Sequence, residues 1–276
     1  MTEKKLQETA AYLEKRTTLR PRLGFVLGSG LSGFAKRVKA DVEIPFQDIP
    51  HFTKVSVEGH PGRLVIGKLD GVDVAVMQGR LHAYEGLTFD QVIYPMRTLA
   101  TFGVKTVMVT NAAGGLLPKM KPGDFMVIRD HINMTGDNPL RGPNVAIGPR
   151  FVDMTDPYDK DLTKLLKESL RQEKVRFHEG VYVGVMGPTY ETAAEIKFYA
   201  KMGGGSVGMS TVAEVIAARH CGVRIVGLSC VTNLGTGLSK IKLNHEDVKD
   251  MAAKVEAKFI RTLVTFTAKA KAKKLL

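Results

Sequence analysis

Short apolar runs alternate with amphipathic stretches along most of the chain. Leu23–Leu27, Lys105–Thr110, Asp124–Asp130, Val181–Met186 and Val223–Val231 read as strands, and Val72–Met77 is apolar and β-branched, the composition of a buried strand. Between them the apolar positions recur at helical spacing. Leu6, Ala10 and Leu13 share one face of a helix over 2–16 with Thr2 as its N-cap, and Leu162, Leu165, Leu166 and Leu170 share one face over 159–172. Further helices are predicted from Thr211 to His220, and from His245 to about Ala270 with Asn244 as cap. Thr88 and Gln91 form a capping-box pair ahead of a helix that Gly103 ends and that Pro95 should kink. Arg63–Leu69 and Val72–Met77 flank Asp70-Gly71, a strong hairpin signal. No linker or repeat interrupts this alternation, so one α/β domain over residues 1–276 is expected.

The pattern breaks where apolar runs spill into polar residues. Leu27 leads into Gly28-Ser29-Gly30-Leu31-Ser32-Gly33, Met77 into Gly79-Arg80-Leu81-His82-Ala83-Tyr84-Glu85, and Thr110 into Asn111-Ala112-Ala113-Gly114-Gly115. Met186 leads into Gly187-Pro188-Thr189-Tyr190-Glu191, and Val231 into Thr232-Asn233. Ligands of α/β proteins sit outside the carboxyl ends of strands, so these breaks are candidate site segments. Arg80, His82 and Tyr84 alternate, and an extended chain would turn all three to one side. A permanent cation, an imidazole and a phenol suit an anion plus a hydroxylated partner. Each residue also has an ordinary reading. Asn111 and Asn233 precede glycines and would serve as Asx-turn residues. Glu191 would sit in the first turn of a helix running through Lys201 and satisfy its N-terminus. His82 would be an interior histidine, and His60, in Glu58-Gly59-His60-Pro61-Gly62, a solvated loop residue.

Gly28 to Gly33 literally matches G-x-G-x-x-G, and a helix over 31–38 would aim backbone N–H groups at the glycine turn. A dinucleotide site also needs an acidic residue about 20 positions on. Asp41 and Glu43 come too early and Asp48 falls in a loop. Tight packing of a glycine turn is the competing reading. The Gly-, Pro- and Asn-rich stretch over 134–150 is a long loop of the kind that carries function.

Composition narrows the class. The chain has 276 residues, 44% hydrophobic and 25% charged, which allows an ample core. No apolar run is long enough for a membrane span, and the start lacks the apolar segment of a signal peptide. Cys221 and Cys230 are the only cysteines, which argues against a disulfide scaffold or zinc site and makes a reducing cytoplasm the expected location. The net charge of +12 raises a nucleic-acid reading. However, Lys269, Lys271, Lys273 and Lys274 look like a solvated helix end, aromatic interleaving is missing, and an anionic small substrate explains a basic surface equally well. No metal-ligand spacing, P-loop or G-x-S-x-G elbow occurs; Ser210 is followed by Thr211 and Val212. No metal and no cofactor are therefore expected. Chemistry must come from anion binding, hydrogen bonds and oriented carboxamides.

The segments singled out above, together with Val207-Gly208-Met209-Ser210-Thr211, resemble in order and spacing the purine nucleoside phosphorylases of the trimeric type, a group that includes methylthioadenosine phosphorylase. The resemblance runs from about Leu23 to His245. It implies a single domain with a central mixed β-sheet flanked by helices. It also implies phosphorolysis: a purine nucleoside plus phosphate yields the free base and (deoxy)ribose 1-phosphate. Carried over by position, Ser29, His60, Arg80, His82, Ala112 and Ser210 would hold phosphate. Tyr84, Met209 and His245 would hold the sugar. Tyr190, Glu191, Val207 and Asn233 would hold the purine, with Asn233, Glu191 and His82 as the catalytic group. Phe151 would reach a neighbouring site in a homotrimer. In this family Asn at position 233, Glu at 191 and Ser at 210 go with 6-oxopurines, whereas the methylthioadenosine enzymes carry Asp at 233, lack the Glu and have Thr at 210. Tyr190 stands where many members have Phe, and Leu234 where some have Lys. Partners are thus expected to be a purine nucleoside and phosphate, with no nucleic acid and no membrane.

Overall fold

The structure, a computed structural model, describes residues 1–56, 61–239 and 244–275. Among the described residues nine strands form one mixed sheet, with six α-helices packed around it. Its parallel centre is built from β1 (Leu23–Val26), β4 (Val72–Gln78), β5 (Thr106–Gly115) and β9 (Arg224–Leu234), in the order β4-β1-β5-β9. On the β4 side the sheet continues antiparallel through β3 (Arg63–Leu69) and β2 (Lys39–Pro45). The Asp70-Gly71 hairpin forms as the sequence predicts, with Leu69 opposite Val72 and both turn residues at positive φ.

The other half closes on itself. β6 (Phe125–Met134) runs antiparallel to β9, β7 (Phe177–Val185) parallel to β6, and β8 (Gly204–Gly208) parallel to β7. Gly114 and Gly115 at the end of β5 then pair with Val207 and Ser206 of β8. The circuit β5-β8-β7-β6-β9-β5 therefore has no free edge.

Side chains alternate across the central strands and supply two cores. Val107 and Val109 of β5 pack with α1 (Glu3–Glu14), α2 (Phe89–Thr101) and α5 (Val212–His220), while Met108 faces α3 (Lys160–Gln172) and α6 (His245–Ala272). α4 (Ala193–Lys201) covers a smaller cluster around Leu116, Val183 and Val207. Local signals place the helices well. Thr2, Thr88 and Asn244 each accept the N-terminal hydrogen bond that the sequence assigns to a cap, and Asp159, read as helical in the sequence, caps α3 instead.

Three sequence expectations change. The segment after β1 is a 3₁₀ turn over Ser32–Arg37 and not an α-helix. β2, unmarked in the sequence pattern, is an edge strand with mostly exposed side chains, so it lacks an apolar signature. β5 does not end at Thr110; Asn111 to Gly115 continue as strand because β9 pairs with them along their length.

Phe259 of α6 is fully buried between Phe34 and Phe125, with ring centroids 6.5 and 6.4 Å away. Truncating a buried Phe loses its transfer energy and leaves a cavity. Phe259→Ala is expected to cost about 3–5 kcal/mol in urea unfolding; a loss of under about 1 kcal/mol would contradict this placement of α6.

Candidate active site

The carboxyl ends of β1, β4, β5 and β9 open onto one cleft. Ser29 enters from the turn after β1, and Arg80, His82 and Tyr84 from the segment after β4. β5 supplies Asn111 and Ala112. Val207, Met209 and Ser210 come from β8 and its exit, and Asn233 from β9. Tyr190 and Glu191 close the cleft from the segment between β7 and α4.

At one end lie the groups suited to an anion. Arg80 is 1% exposed and its guanidinium is largely committed. Nε and Nη2 donate to the two carboxylate oxygens of Glu214 at 3.2 and 2.9 Å. Nη1 donates to the Thr110 carbonyl at 2.6 Å and to Ser210 Oγ at 3.3 Å. The fork that the sequence offers to an anion is thus taken by a carboxylate, and one Nη2 hydrogen is left over. Ser210 is held in turn by its backbone N–H on Tyr182 Oη, 3.3 Å, and by a hydroxyl contact of 3.1 Å with Thr211. Thr211 stands at φ +73°, a strained conformation for a β-branched residue costing about 1–3 kcal/mol. Asn111, buried inside β5, donates to its hydroxyl at 2.8 Å. The Asx-turn reading of Asn111 does not hold.

His82 and Tyr84 do not reach the cleft by strand alternation. Ala83–Glu85 is a 3₁₀ turn, and the two rings stack at 4.6 Å. Glu85 organises the turn, accepting from the His82 backbone at 2.7 Å, the His82 ring at 3.2 Å, and Ser56 N and Oγ at 2.9 and 2.6 Å. Burial pushes the Glu85 carboxyl up, but these donors outweigh it and bring it down to about 2. Burial lowers His82 below the ordinary histidine value, against the opposing pull of Glu85, and so keeps the ring neutral at neutral pH. Burial, with the Glu85 charge, raises Tyr84 to about 12, so its hydroxyl remains a donor.

The opposite end is made by carboxamide and carboxylate. β9 keeps step with β5 up to Ala113–Val231, then carries one extra residue, so that Asn233 and not Thr232 lies opposite Gly114. A Cβ on Gly114 would come within 3.2 Å of Asn233 Nδ2. The amide is fixed at both ends: Thr232 Oγ1 donates to Oδ1 at 2.9 Å, and Nδ2 donates to the Leu234 carbonyl at 3.0 Å. Glu191 is not in the first turn of α4. Thr192 caps that helix through a reciprocal pair with Glu195, so Glu191 precedes the cap and stays available to the cleft. Burial raises its carboxyl above the ordinary glutamate value. Tyr190 beside it is 39% exposed. Gly187, at φ +71°, lets Met209 pack against the backbone; a Cβ there would meet Met209 Sδ at 2.4 Å.

The glycine motif after β1 serves packing. A Cβ on Gly28 would fall 2.6 Å from Asn111 Cα, and one on Gly30 2.5 Å from Ala252 Cβ in α6. Gly33 donates its N–H to Glu256 of α6 at 3.0 Å. These close approaches, and the 3₁₀ turn that follows, displace the dinucleotide reading while leaving Ser29 at the cleft. His60 lies outside the described residues. His245 begins α6, capped by Asn244, and the description extends to its backbone alone. Phe151 is 88% exposed and borders a separate surface hollow with Arg150 and Met154, away from this cleft. Among the described residues no group of His, Cys, Asp or Glu side chains is arranged to hold a metal ion. Sequence reasoning missed Glu214, Thr211, Tyr182, Thr232 and the role of Glu85. Glu214 carried a signal, as the lone acid in the apolar helix Val-Ala-Glu-Val-Ile-Ala-Ala.

A carboxyl lowered from 4.5 to about 2 stabilises the fold fully above its unfolded value and loses that contribution as pH falls through 4.5 toward 2. Wild type should therefore exceed Glu85→Gln in urea stability at pH 7, with the gap closing between pH 5 and 2. A gap that stays constant over that range would show that Glu85 is not held ionised by these bonds.

Known proteins carry the same framework. The family model described as "Phosphorylase superfamily" matches residues 22–268. Purine nucleoside phosphorylase 1 of Geobacillus stearothermophilus is 46% identical over 262 residues, covering 95% of this chain and 96% of that protein. Purine nucleoside phosphorylase of Bos taurus is 44% identical over 262 residues, covering 91% of each. The crystal structure of the Schistosoma purine nucleoside phosphorylase with hypoxanthine superposes with a TM-score of 0.91 at 40% identity, covering 96% of this chain and 97% of that one. The Schistosoma mansoni enzyme with inosine gives a TM-score of 0.88 at 40% identity, covering 95% of this chain and 96% of that one. With that breadth of match over one continuous framework, this chain belongs to the phosphorylase superfamily as a purine nucleoside phosphorylase of the trimeric type.

Proposed function

We propose that this enzyme cleaves the 6-oxopurine nucleosides inosine and guanosine, and their 2′-deoxy forms, with inorganic phosphate. One observation carries the reading: a single cleft joins the donors around Arg80 to the fixed amide of Asn233 and the carboxylate of Glu191. Phosphate sits at the Arg80 end, with hydroxyls from Ser29 and Ser210, the His82 ring and the Ala112 backbone as its donors; His60 joins them in the family pattern. Tyr84 and Met209 flank the sugar between the two ends, with His245 at its hydroxyls. Val207 and Tyr190 pack against the base.

In the reaction the C1′–N9 bond lengthens first and its electron pair moves onto the purine. The sugar becomes oxocarbenium-like, and a phosphate oxygen on the far face stabilises it and then bonds to C1′. Free base and ribose 1-phosphate result, without a covalent enzyme intermediate. The remaining Nδ2 hydrogen of Asn233 donates to the base as negative charge collects around N7 and O6. Ionised Glu191 accepts from N1–H of a 6-oxopurine, whereas adenine N1 is itself an acceptor and meets the carboxylate unfavourably. The Schistosoma mansoni enzyme has also been crystallised with adenosine, so discrimination is read from turnover and not from occupancy. An exposed Phe151 fits a homotrimer in which it completes a neighbour's site. Free Cys221 and Cys230 suit a reducing cytoplasm, and no helix among the described residues is long and apolar enough to cross a membrane.

Inosine and guanosine should be turned over far faster than adenosine or methylthioadenosine in a coupled assay at saturating phosphate; preference for either 6-aminopurine nucleoside would overturn the assignment. Asn233→Asp should lower inosine kcat/KM by about 10²–10³ while lowering that for adenosine far less. Equal losses on the two substrates would refute the role given to Asn233.

A further inference from the structure

The phosphate end is less cationic than its residue types imply. Arg80 and Glu214 are 1% and 3% exposed, and their paired hydrogen bonds make a neutral unit under the cleft. Glu214 is the third residue of α5, where a glutamate normally turns back to cap its own helix. Here it reaches across to β4's exit segment instead, and Thr211 at the N-cap makes no side-chain capping bond either. The Thr211 hydroxyl instead accepts from Asn111 Nδ2 and contacts Ser210 Oγ. Both groups that would ordinarily stabilise the start of α5 are thus spent on Arg80 and Ser210. Local rules broken together at one place mark a functional constraint.

We propose that Glu214 is a positioning residue for phosphate. It locks the guanidinium by two bonds, Thr110 and Ser210 take Nη1, and Arg80 is left to offer phosphate a single directed Nη2 hydrogen in place of an open fork. Glu214 does not line the cleft and acts through Arg80, so its loss acts on phosphate and spares the purine end. The proposal rests on phosphorolysis at this cleft.

The test measures inosine phosphorolysis against phosphate concentration for wild type, Glu214→Gln, Glu214→Asp, Arg80→Met and the double variant Arg80→Met/Glu214→Gln. Hypoxanthine binding without phosphate, followed by calorimetry, and the melting temperature accompany each. Glu214→Gln is expected to lower kcat/KM for phosphate about tenfold or more, as loss of a buried bond to a charged group does. Hypoxanthine affinity should stay within about twofold of wild type, and Glu214→Asp should recover part of the loss. In the Arg80→Met background the second substitution should add nothing, because the group it positions is gone. Unchanged phosphate kinetics in folded Glu214→Gln would overturn the proposal. So would an equal loss of hypoxanthine affinity, which would mark a general structural role, or additive losses in the double variant. If Glu214→Gln alone does not fold, Glu214→Asp, which keeps the charge pair, decides: a lowered kcat/KM for phosphate with hypoxanthine affinity kept supports the proposal, and unchanged phosphate kinetics overturns it. Wild type inactive with phosphate would instead defeat the functional reading itself.

Discussion

The register between β5 and β9 sets where the Asn233 amide stands in the cleft. The two strands run in step from Thr106–Arg224 to Ala113–Val231, then slip by one residue at Thr232. In a sheet a one-residue slip reverses which side each later residue faces. That slip puts the Asn233 amide opposite Gly114, with no Cβ in between, while Thr232 and Leu234 hold the amide still. The same β5 carries Asn111, which braces Thr211, and the Thr110 carbonyl, which holds Arg80. One strand thus ties the Arg80 end of the cleft to the Asn233 end. The distance between them is set by backbone hydrogen bonds and not by flexible side chains.

Electrostatics at the Arg80 end of the cleft follow from burial. Arg80 cannot sit at 1% exposure without a partner, and Glu214 supplies it. His82 is kept neutral by burial, and Glu85 is kept ionised by its donors. A subsite built this way depends on the direction of its hydrogen bonds more than on net charge. The overall charge of +12 is therefore no guide to it.

What could be read from the chain was local. The Asp70-Gly71 turn, the Thr88–Gln91 capping box and the Asn244 cap depend on neighbours a few residues apart, and all three form. What could not be read depends on partners far away. Asn111 to Gly115 has turn composition, yet β9 and β8 hold it as strand. Gly28, Gly30 and Gly33 mimic a nucleotide fingerprint, yet each is needed because β5 or α6 comes close. Thr192 and Glu195 did spell a capping box in the sequence, and reading it would have kept Glu191 out of the first turn of α4. Arg80, His82 and Tyr84 were found by their residue types. The turn that stacks His82 on Tyr84, and the glutamates that fix Arg80 and His82, needed the fold.

The central claim is that phosphate, held beside Arg80, and not water, takes the sugar from the purine. The direct measurement is product analysis of inosine cleavage over a series of phosphate concentrations. Hypoxanthine and ribose 1-phosphate should appear in equal amounts, and base release should vanish when phosphate is removed. Release of hypoxanthine with free ribose, at a rate independent of phosphate, would contradict the account.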